Sequence, residues 1–400
     1  MLGSRGPSPY DGAMRDVAVI GAGPSGLLAA RRCAEAGLDV VVLEEHALVG
    51  RPTHCTGVIS LETAALAKVP DNIVLKRLTR ARLISPGGAR SDMRWHGEGS
   101  EQILVIDRGA FDRELARQAA AAGAVIDTGC RVDGLTVTGS GATLAVGTRT
   151  LRARAVILAC GVSYRFQRRL GLGLPGRMVH TAQTEVDAED ADTVELHFGR
   201  EVAPDGFLWV VPVTRGDRHG LKIGALARDD AGACLGRFLR RPEVRARLRS
   251  EPPRPLRRLL PLQPIAKTYA DRLLVVGDAG GFTKPTTGGG IFYSLLSASL
   301  AADTLLEAFD KGAFDDEFLG RYETRWQAEL GQEFRVSGWL RQLLTRCTDA
   351  DIDRIVRASA SEPVQAVIRR TARFNRHREL IVALLREPGI ASLLFRSLFR

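Results

Sequence analysis

The stretch Gly21-Ala22-Gly23-Pro24-Ser25-Gly26 satisfies G-x-G-x-x-G, and the chemistry that suits this spacing is the holding of a pyrophosphate. Gly21 allows a tight turn after a strand, Gly23 lets a phosphate approach the backbone, and Gly26 lets the following helix pack close to that strand. The helix opened by Pro24 and Ser25 offers free N–H groups and the positive end of its dipole to the anion. Glu44 and its neighbour Glu45 stand at the end of the next apolar run. A carboxylate there can accept both ribose hydroxyls of an adenosine and repels a 2′-phosphate. Farther along, His54-Cys55 sets an imidazole beside a thiol. Either could donate a proton, although a buried Cys is by default inert packing and an isolated His a hydrogen-bonded side chain.

The glycine loop alone does not separate FAD from NAD; a second motif does. Asp271 to Gly290 reads D-R-L-L-V-V-G-D-A-G-G-F-T-K-P-T-T-G-G-G, followed by Ile291. A strand delivers Gly277-Asp278, where a carboxylate can hydrogen-bond the ribityl chain of a flavin. Gly288, Gly289 and Gly290 open a helix at Ile291 whose N-terminus can face the N1–C2=O edge of the flavin and stabilise negative charge there. This arrangement resembles the second FAD signature of hydroxylase-like flavoproteins. Asp107-Arg108, Phe111-Asp112 and Leu115 resemble that group's R-x-x-F-D-x-x-L motif, which implies that Arg108 lies near the FAD; on its own, Arg108 would read as a surface residue at a helix start. Three motifs in order point to FAD, and no second GxGxxG marks a separate NAD(P)H domain.

Two further stretches resemble the geranylgeranyl reductase family. Arg51-Pro52-Thr53-His54-Cys55-Thr56-Gly57-Val58-Ile59-Ser60 is similar to its C-x-G-x-x-S segment, and Ala203-Pro204-Asp205-Gly206-Phe207-Leu208-Trp209-Val210-Val211-Pro212 to its Y-x-W-x-F-P motif. The resemblance runs over residues 15 to 310. It implies an FAD enzyme that saturates carbon–carbon double bonds of an isoprenoid chain, in a geranylgeranyl-type lipid or a prenylated quinone. It also places Cys55 near the isoalloxazine ring, as a proton donor or a shaper of the pocket, with His54 as a second proton-donor candidate. Such a reaction needs hydride on one carbon and a proton on the other. An alkene has no polar handle, so an apolar channel with an aromatic wall has to hold it. Phe207 and Trp209 alternate on one face of a strand and could form that wall, with Pro212 ending the strand as a third substrate-binding residue; the plainer reading is two aromatics in a sheet core. Cys160, in Ala159-Cys160-Gly161-Val162-Ser163, stands where flavin hydroxylases carry an Asp that serves cofactor and NADPH interactions. This departure counts against hydroxylase activity and against direct reduction by NADPH. The rival readings are a flavin-dependent monooxygenase or halogenase acting on a small aromatic, and a flavoprotein that only binds an isoprenoid or a partner.

These residues need elements to position them. Residues 17–21 read as a buried strand, 25–36 as a helix with Gly37 after its end, and 39–43 as a second strand, closing a β-α-β unit. Residues 103–128 predict strand, helix (111–122) and strand, followed by three short strands around Arg131, Leu144 and Val156. Between 165 and 265 the pattern changes to strands separated by polar turns, and a buried strand returns at 273–276 before a helix to about 309. From there the apolar spacing is helical. The expected architecture is α/β: a discontinuous Rossmann-type FAD-binding domain (14–60, 100–165 and 265–310), a second, mainly β-sheet substrate domain (61–99 and 166–264), a helical region (311–400), and a disordered leader (1–13) with Met14 as the natural start.

Composition narrows the setting. The 45% hydrophobic and 26% charged residues over 400 positions are those of a globular protein with a substantial core. No apolar run of about 18 residues and no signal core is evident, so a cytoplasmic protein without a spanning helix is expected. The six cysteines form no C-x-x-C pair, which leaves neither a disulfide framework nor a metal site. The net charge of +10 comes without a nucleic-acid motif; it suits an anionic cofactor or an acidic ferredoxin as electron donor, with NAD(P)H as the other donor. Residues 366–400 alternate arginines with Leu, Ile and Phe. Such a segment reads as an interfacial element on the inner face of a membrane, or as helices packed on the catalytic lobe with a solvated Arg face.

Overall fold

The computed structural model describes residues 14–94 and 103–396, with side chains described as far as Leu393; the expected leader, 1–13, and the end of the tail, 397–400, lie outside the described residues. Five strands run parallel in the order Leu273–Val275, Arg149–Leu158, Met14–Ile20, Val40–Glu44, Val125–Thr128. Parallel strands are buried on both faces, hence the β-branched runs. Val17, Val19, Val40 and Val42 face the helices Pro24–Glu35, Arg108–Ala121 and Ile291–Lys311. Ala18, Ile20, Val41 and Leu43 face the hairpin Val132–Thr138/Gly141–Val146.

A second sheet of seven strands has the order Leu256–Pro261, Met178–Asp187, Arg218–Ala227, Phe207–Arg215, Val194–His197, Arg80–Ile84, Arg90–Arg94. Alternation divides its faces. Leu208, Val210, Ile223 and Ala225 pack on the helix Ala231–Leu239, while Phe207, Trp209 and Val211 face a cavity. Three strands, Val58–Ser60, Ile103–Ile106 and Val74–Leu78, form a small sheet between the two. The helix Asp316–Leu344 lies on Ile291–Lys311, and Asp349–Ser359, Glu362–Thr371, Arg378–Leu384 and Pro388–Arg396 fold back over the second sheet through Leu343, Val364, Ile368, Ile390 and Met93.

The α/β architecture with a second sheet and a helical C-terminal region is the expected one. Two expectations change, and a third is refined. The helix expected from Phe111 begins at Arg108, because the Asp107 side chain accepts the Ala110 N–H at 2.8 Å and caps it. Pro212 does not end its strand, which continues to Arg215; the neighbour Val194–His197 pairs only as far as Val210, so a missing N–H on that flank forfeits no ladder bond. Lastly, one helix among the described residues, Ile291–Lys311, is long and apolar enough to cross a membrane, yet 72% of its apolar window is buried within the protein, as in a core helix.

Candidate functional site

One cavity of about 1580 Å³ joins the glycine loop to the inner face of the second sheet. That is larger than the ~300–1,000 Å³ usual for one small ligand, and it leaves room for a dinucleotide and a second long molecule.

At one end the loop takes the form its spacing predicts. Gly21 has φ +108°, and a Cβ there would collide with the Ala159 carbonyl; a Cβ on Gly26 would collide with Gly21 O. Gly23 differs: a Cβ there meets nothing within 4 Å and would stand in the cavity. The helix Pro24–Glu35 starts with no side-chain cap, leaving its first N–H groups to a ligand. Glu44 Oε2 accepts the Ala22 N–H at 2.8 Å and Oε1 the His46 N–H at 2.9 Å, which fixes the carboxylate at the loop with lone pairs to spare. Glu45 is exposed at the cavity rim.

The second motif meets the first. Gly277 has φ +62° and packs on Ser25, where a Cβ would come within 2.5 Å of Oγ. The Asp278 carboxyl lines the cavity beside Gly290; burial pushes its pKa up and Arg108 pulls it down. Burial alone would lower the Arg108 pKa, but Asp112, at 2.7 and 3.1 Å, and Cys55 outweigh it and hold the guanidinium charged. Gly288 has φ +70°, and a Cβ there would meet Leu260 at 2.6 Å; one on Gly289 would meet Lys284 at 2.8 Å. The helix from Ile291 also starts without a side-chain cap, so a second helix dipole opens on the same cavity.

Cys55 and His54 lie in the cavity wall. Cys55 Sγ accepts the Gly57 N–H at 3.3 Å. Arg258 donates to His54 Nε2; burial, then Arg258, lowers the His54 pKa to about 4, so the imidazole is neutral near pH 7 and poorly suited to act as an acid. Sequence reasoning missed Lys222. It is buried in the second sheet and donates to Thr56 O at 2.8 Å and Ile106 O at 3.2 Å, locking the Cys55 segment to that sheet. Cys160 is a neutral thiol that donates to Ser163 O, its pKa raised to about 11 by burial.

Phe207 and Trp209 share the cavity wall with Phe198, ring centroids 5.9 Å apart along the row. Trp209 lies across Gly224, where a Cβ would collide with the indole. Pro212 is corrected: it falls on the opposite face of the strand, with Leu208 and Val210, and does not line the cavity. The opposite wall comes from the C-terminal helices, for which the sequence had no motif. Ile355, Ile368, Leu380 and Leu384 face the second sheet across the cavity. The turn between Glu362–Thr371 and Arg378–Leu384 is tied to the second glycine loop: Lys284 Nζ donates to Phe374 O and lies over its ring, and Thr286 Oγ1 is 2.7 Å from His377 Nδ1. Buried Asn375 donates to Ser60 Oγ and Glu62 Oε2, both at 2.7 Å. Helical periodicity signals such residues as core; nothing in their type tells cavity lining from packing.

The glycine loop open at Gly23, the two uncapped helix starts and the carboxylates Glu44 and Asp278 fit an FAD. The comparisons with known proteins agree. The FAD binding domain family matches residues 14–330. A digeranylgeranylglycerophospholipid reductase from Methanoculleus marisnigri is 33% identical over 371 residues, covering 88% of this chain and 91% of its own. Among solved structures, a geranylgeranyl bacteriochlorophyll reductase-like protein from Thermoplasma acidophilum superposes with a TM-score of 0.84 at 22% identity, covering 96% of this chain and 99% of the other. The FAD-bound halogenase PltM shares the fold at a TM-score of 0.68 and 15% identity, covering 96% of this chain and 90% of its own. The chain therefore belongs to the FAD binding domain family and, within it, to the geranylgeranyl reductase group of flavoproteins.

Proposed function

We propose that the protein saturates carbon–carbon double bonds of an isoprenoid lipid in the cavity between the second sheet and the C-terminal helices. The observation that carries this reading is the continuity of that cavity, from the dinucleotide loop to an apolar space with an aromatic row on one wall and aliphatic helices on the other. In this reading residues 14–60, 100–165 and 265–310 hold the cofactor, with Gly21 to Gly26 on the pyrophosphate, Glu44 on the adenosine ribose, and Asp278 and Gly288 to Ile291 on the ribityl chain and ring. Residues 61–99 and 166–264 supply the substrate wall. Bound FAD, once reduced, supplies the hydride.

The chain's own part is to exclude water, to hold an alkene flat against Phe207 and Trp209, and to deliver a proton. Cys55 is the proton donor this geometry favours, since Arg108 and Lys222 lie beside it and the segment is anchored by Lys222. His54 serves as a neutral neighbour instead. Two electron donors remain compatible, NAD(P)H and an acidic ferredoxin drawn to the basic surface; Cys160 in place of a carboxylate favours the ferredoxin. A cytoplasmic enzyme working peripherally at a membrane face suits a lipid substrate, although Glu362–Thr371 turns its apolar side inward, with exposed Arg369 paired to Glu362.

Anaerobic photoreduction followed by addition of a geranylgeranyl lipid tests the reading. Flavin reoxidation with a gain of two hydrogens per double bond supports it. A product that forms only with oxygen would replace it with the monooxygenase reading.

A further inference from the structure

Arg341 stands near the end of the helix Asp316–Leu344. It is 6% exposed and lines the cavity. Its Nη1 donates to Pro285 O at 3.1 Å and its Nη2 to Asp205 O, so two of its five N–H groups meet neutral carbonyls. No carboxylate pairs with it among the described residues: the Asp205 side chain is engaged by Arg228 at 3.1 Å. Burying a guanidinium without a counter-charge is costly, and the cost shows in a pKa lowered by burial to about 10. The backbone it holds is itself unusual. Asp205 sits at φ +56°, a left-handed conformation that a non-glycine residue keeps only when its surroundings enforce it, and it leads directly into Phe207. Pro285 belongs to the second glycine loop. The guanidinium therefore stands where the aromatic wall begins, beside the loop expected at the flavin ring. The cavity reaches solvent nearby, since Leu344 lines it and is 40% exposed.

We propose that Arg341 is the anchoring subsite for a phosphate carried at one end of the isoprenoid substrate. This assignment rests on the reading of the cavity as an isoprenoid site. An anion at this rim places the rest of the chain along Phe207 and Trp209 toward Met93, three strand spacings or about 14 Å across the sheet. The arrangement brings the double bond nearest the phosphate close to the second glycine loop and leaves the distal ones in the apolar part of the cavity. The phosphate could be the head group of a glycerophospholipid or a free prenyl phosphate, and the same donor set serves both.

The test measures dissociation constants by perturbation of the flavin spectrum in FAD-loaded protein. The probes are saturated analogues that need no turnover: phytanyl phosphate, a diphytanyl glycerophospholipid, and phytanol as the phosphate-free control. Arg341→Gln is expected to weaken binding of one or both phosphate-bearing probes by about 10- to 100-fold while leaving phytanol within about twofold. Loss with the phospholipid alone assigns the subsite to a lipid head group, and loss with phytanyl phosphate alone to a free prenyl phosphate. Equal loss with all three probes would make Arg341 a structural clamp and overturn the proposal. So would an unchanged variant, or a loss produced instead by Arg373→Gln, at the cavity-lining turn tied to the second glycine loop. Failure of the wild-type enzyme to reduce any alkene, with discrimination by Arg341 intact, would overturn the reductase reading and leave the subsite standing.

Discussion

The two walls of the cavity are built on different principles. The sheet wall presents Phe207 and Trp209 from a strand laddered on both sides, and the Trp209 ring lies on Gly224 of the next strand, where no side chain could fit. The helical wall presents Ile368, Leu380 and Leu384 from short helices whose placement depends on a few polar contacts: Lys284 and Thr286 on the turn at Phe374–His377, Asn375 on Ser60 and Glu62, and Glu333 on the N–H groups of His377 and Arg378 at 2.8 and 3.0 Å. Close packing makes the first wall intolerant of added volume. The second should move when one contact is lost, because low local stability follows from having few anchors. A reductase acting on a flexible isoprenoid chain is served by one fixed face and one adjustable face.

The largest effect should come from the sheet. Gly224→Leu has no space beneath the indole and is expected to destabilise the fold by about 3 kcal/mol, at the upper end for overpacking, and to abolish binding of an isoprenoid analogue; a fully bound analogue would show the wall to be more yielding than described. Next, Asn375→Ala leaves a buried polar cluster short of its donor, at about 2 kcal/mol. Hydrogen exchange should then quicken in Arg378–Leu384 but not in Phe207–Arg215, and equal acceleration in both would dissolve the distinction between the walls.

Acid should act on the same side. Burial, then Lys284, lowers the His377 pKa from 6.5 to about 3. The unfolded chain therefore takes up a proton first, and stability present above pH 6.5 is lost as pH falls toward 3. At pH 5 the loss is about 2 kcal/mol. His54, lowered to about 4, adds a smaller loss of the same sign because it is only half-buried. His377→Gln should flatten the thermal-melt dependence between pH 6.5 and 5, and an unchanged slope would remove His377 from the account. The smallest change is Arg369→Gln, which breaks an exposed pair with Glu362 and should shift stability by less than about 0.5 kcal/mol.

What could be read from the sequence follows the same division. Gly21 and Gly26 are dictated by backbone a few residues away or directly beside the loop, so their spacing carries the information. Glu44 and Asp278 end strands whose β-branched composition marks them. Phe207 and Trp209 declare a shared face through alternation, which equally puts Pro212 on the other face; what alternation does not give is where a strand stops, and this one runs on to Arg215. Lys222, Arg341 and His377 were not legible: each acts through contacts with residues more than 50 positions away, and an isolated Lys, Arg or His in an ordinary strand or helix leaves no local signature. The helical wall was equally silent, since a side chain facing a cavity and one facing a core obey the same period.

The hydrogen bond from Asn375 to Ser60 joins residues 315 positions apart. On the ribosome the Cys55 segment and the first glycine loop emerge early, but the strand Leu273–Val275, whose following Gly277 packs on Ser25, emerges much later, and the turn that seats on Ser60 later still. A nascent chain released before residue 375 would carry every glycine of the cofactor loops yet expose the apolar face of its second sheet, a state prone to aggregate. Because Lys284 and Thr286 of the second glycine loop are held by that turn, firm flavin retention should follow its emergence, which makes bound cofactor a practical report that Glu362–Thr371 and Arg378–Leu384 have closed.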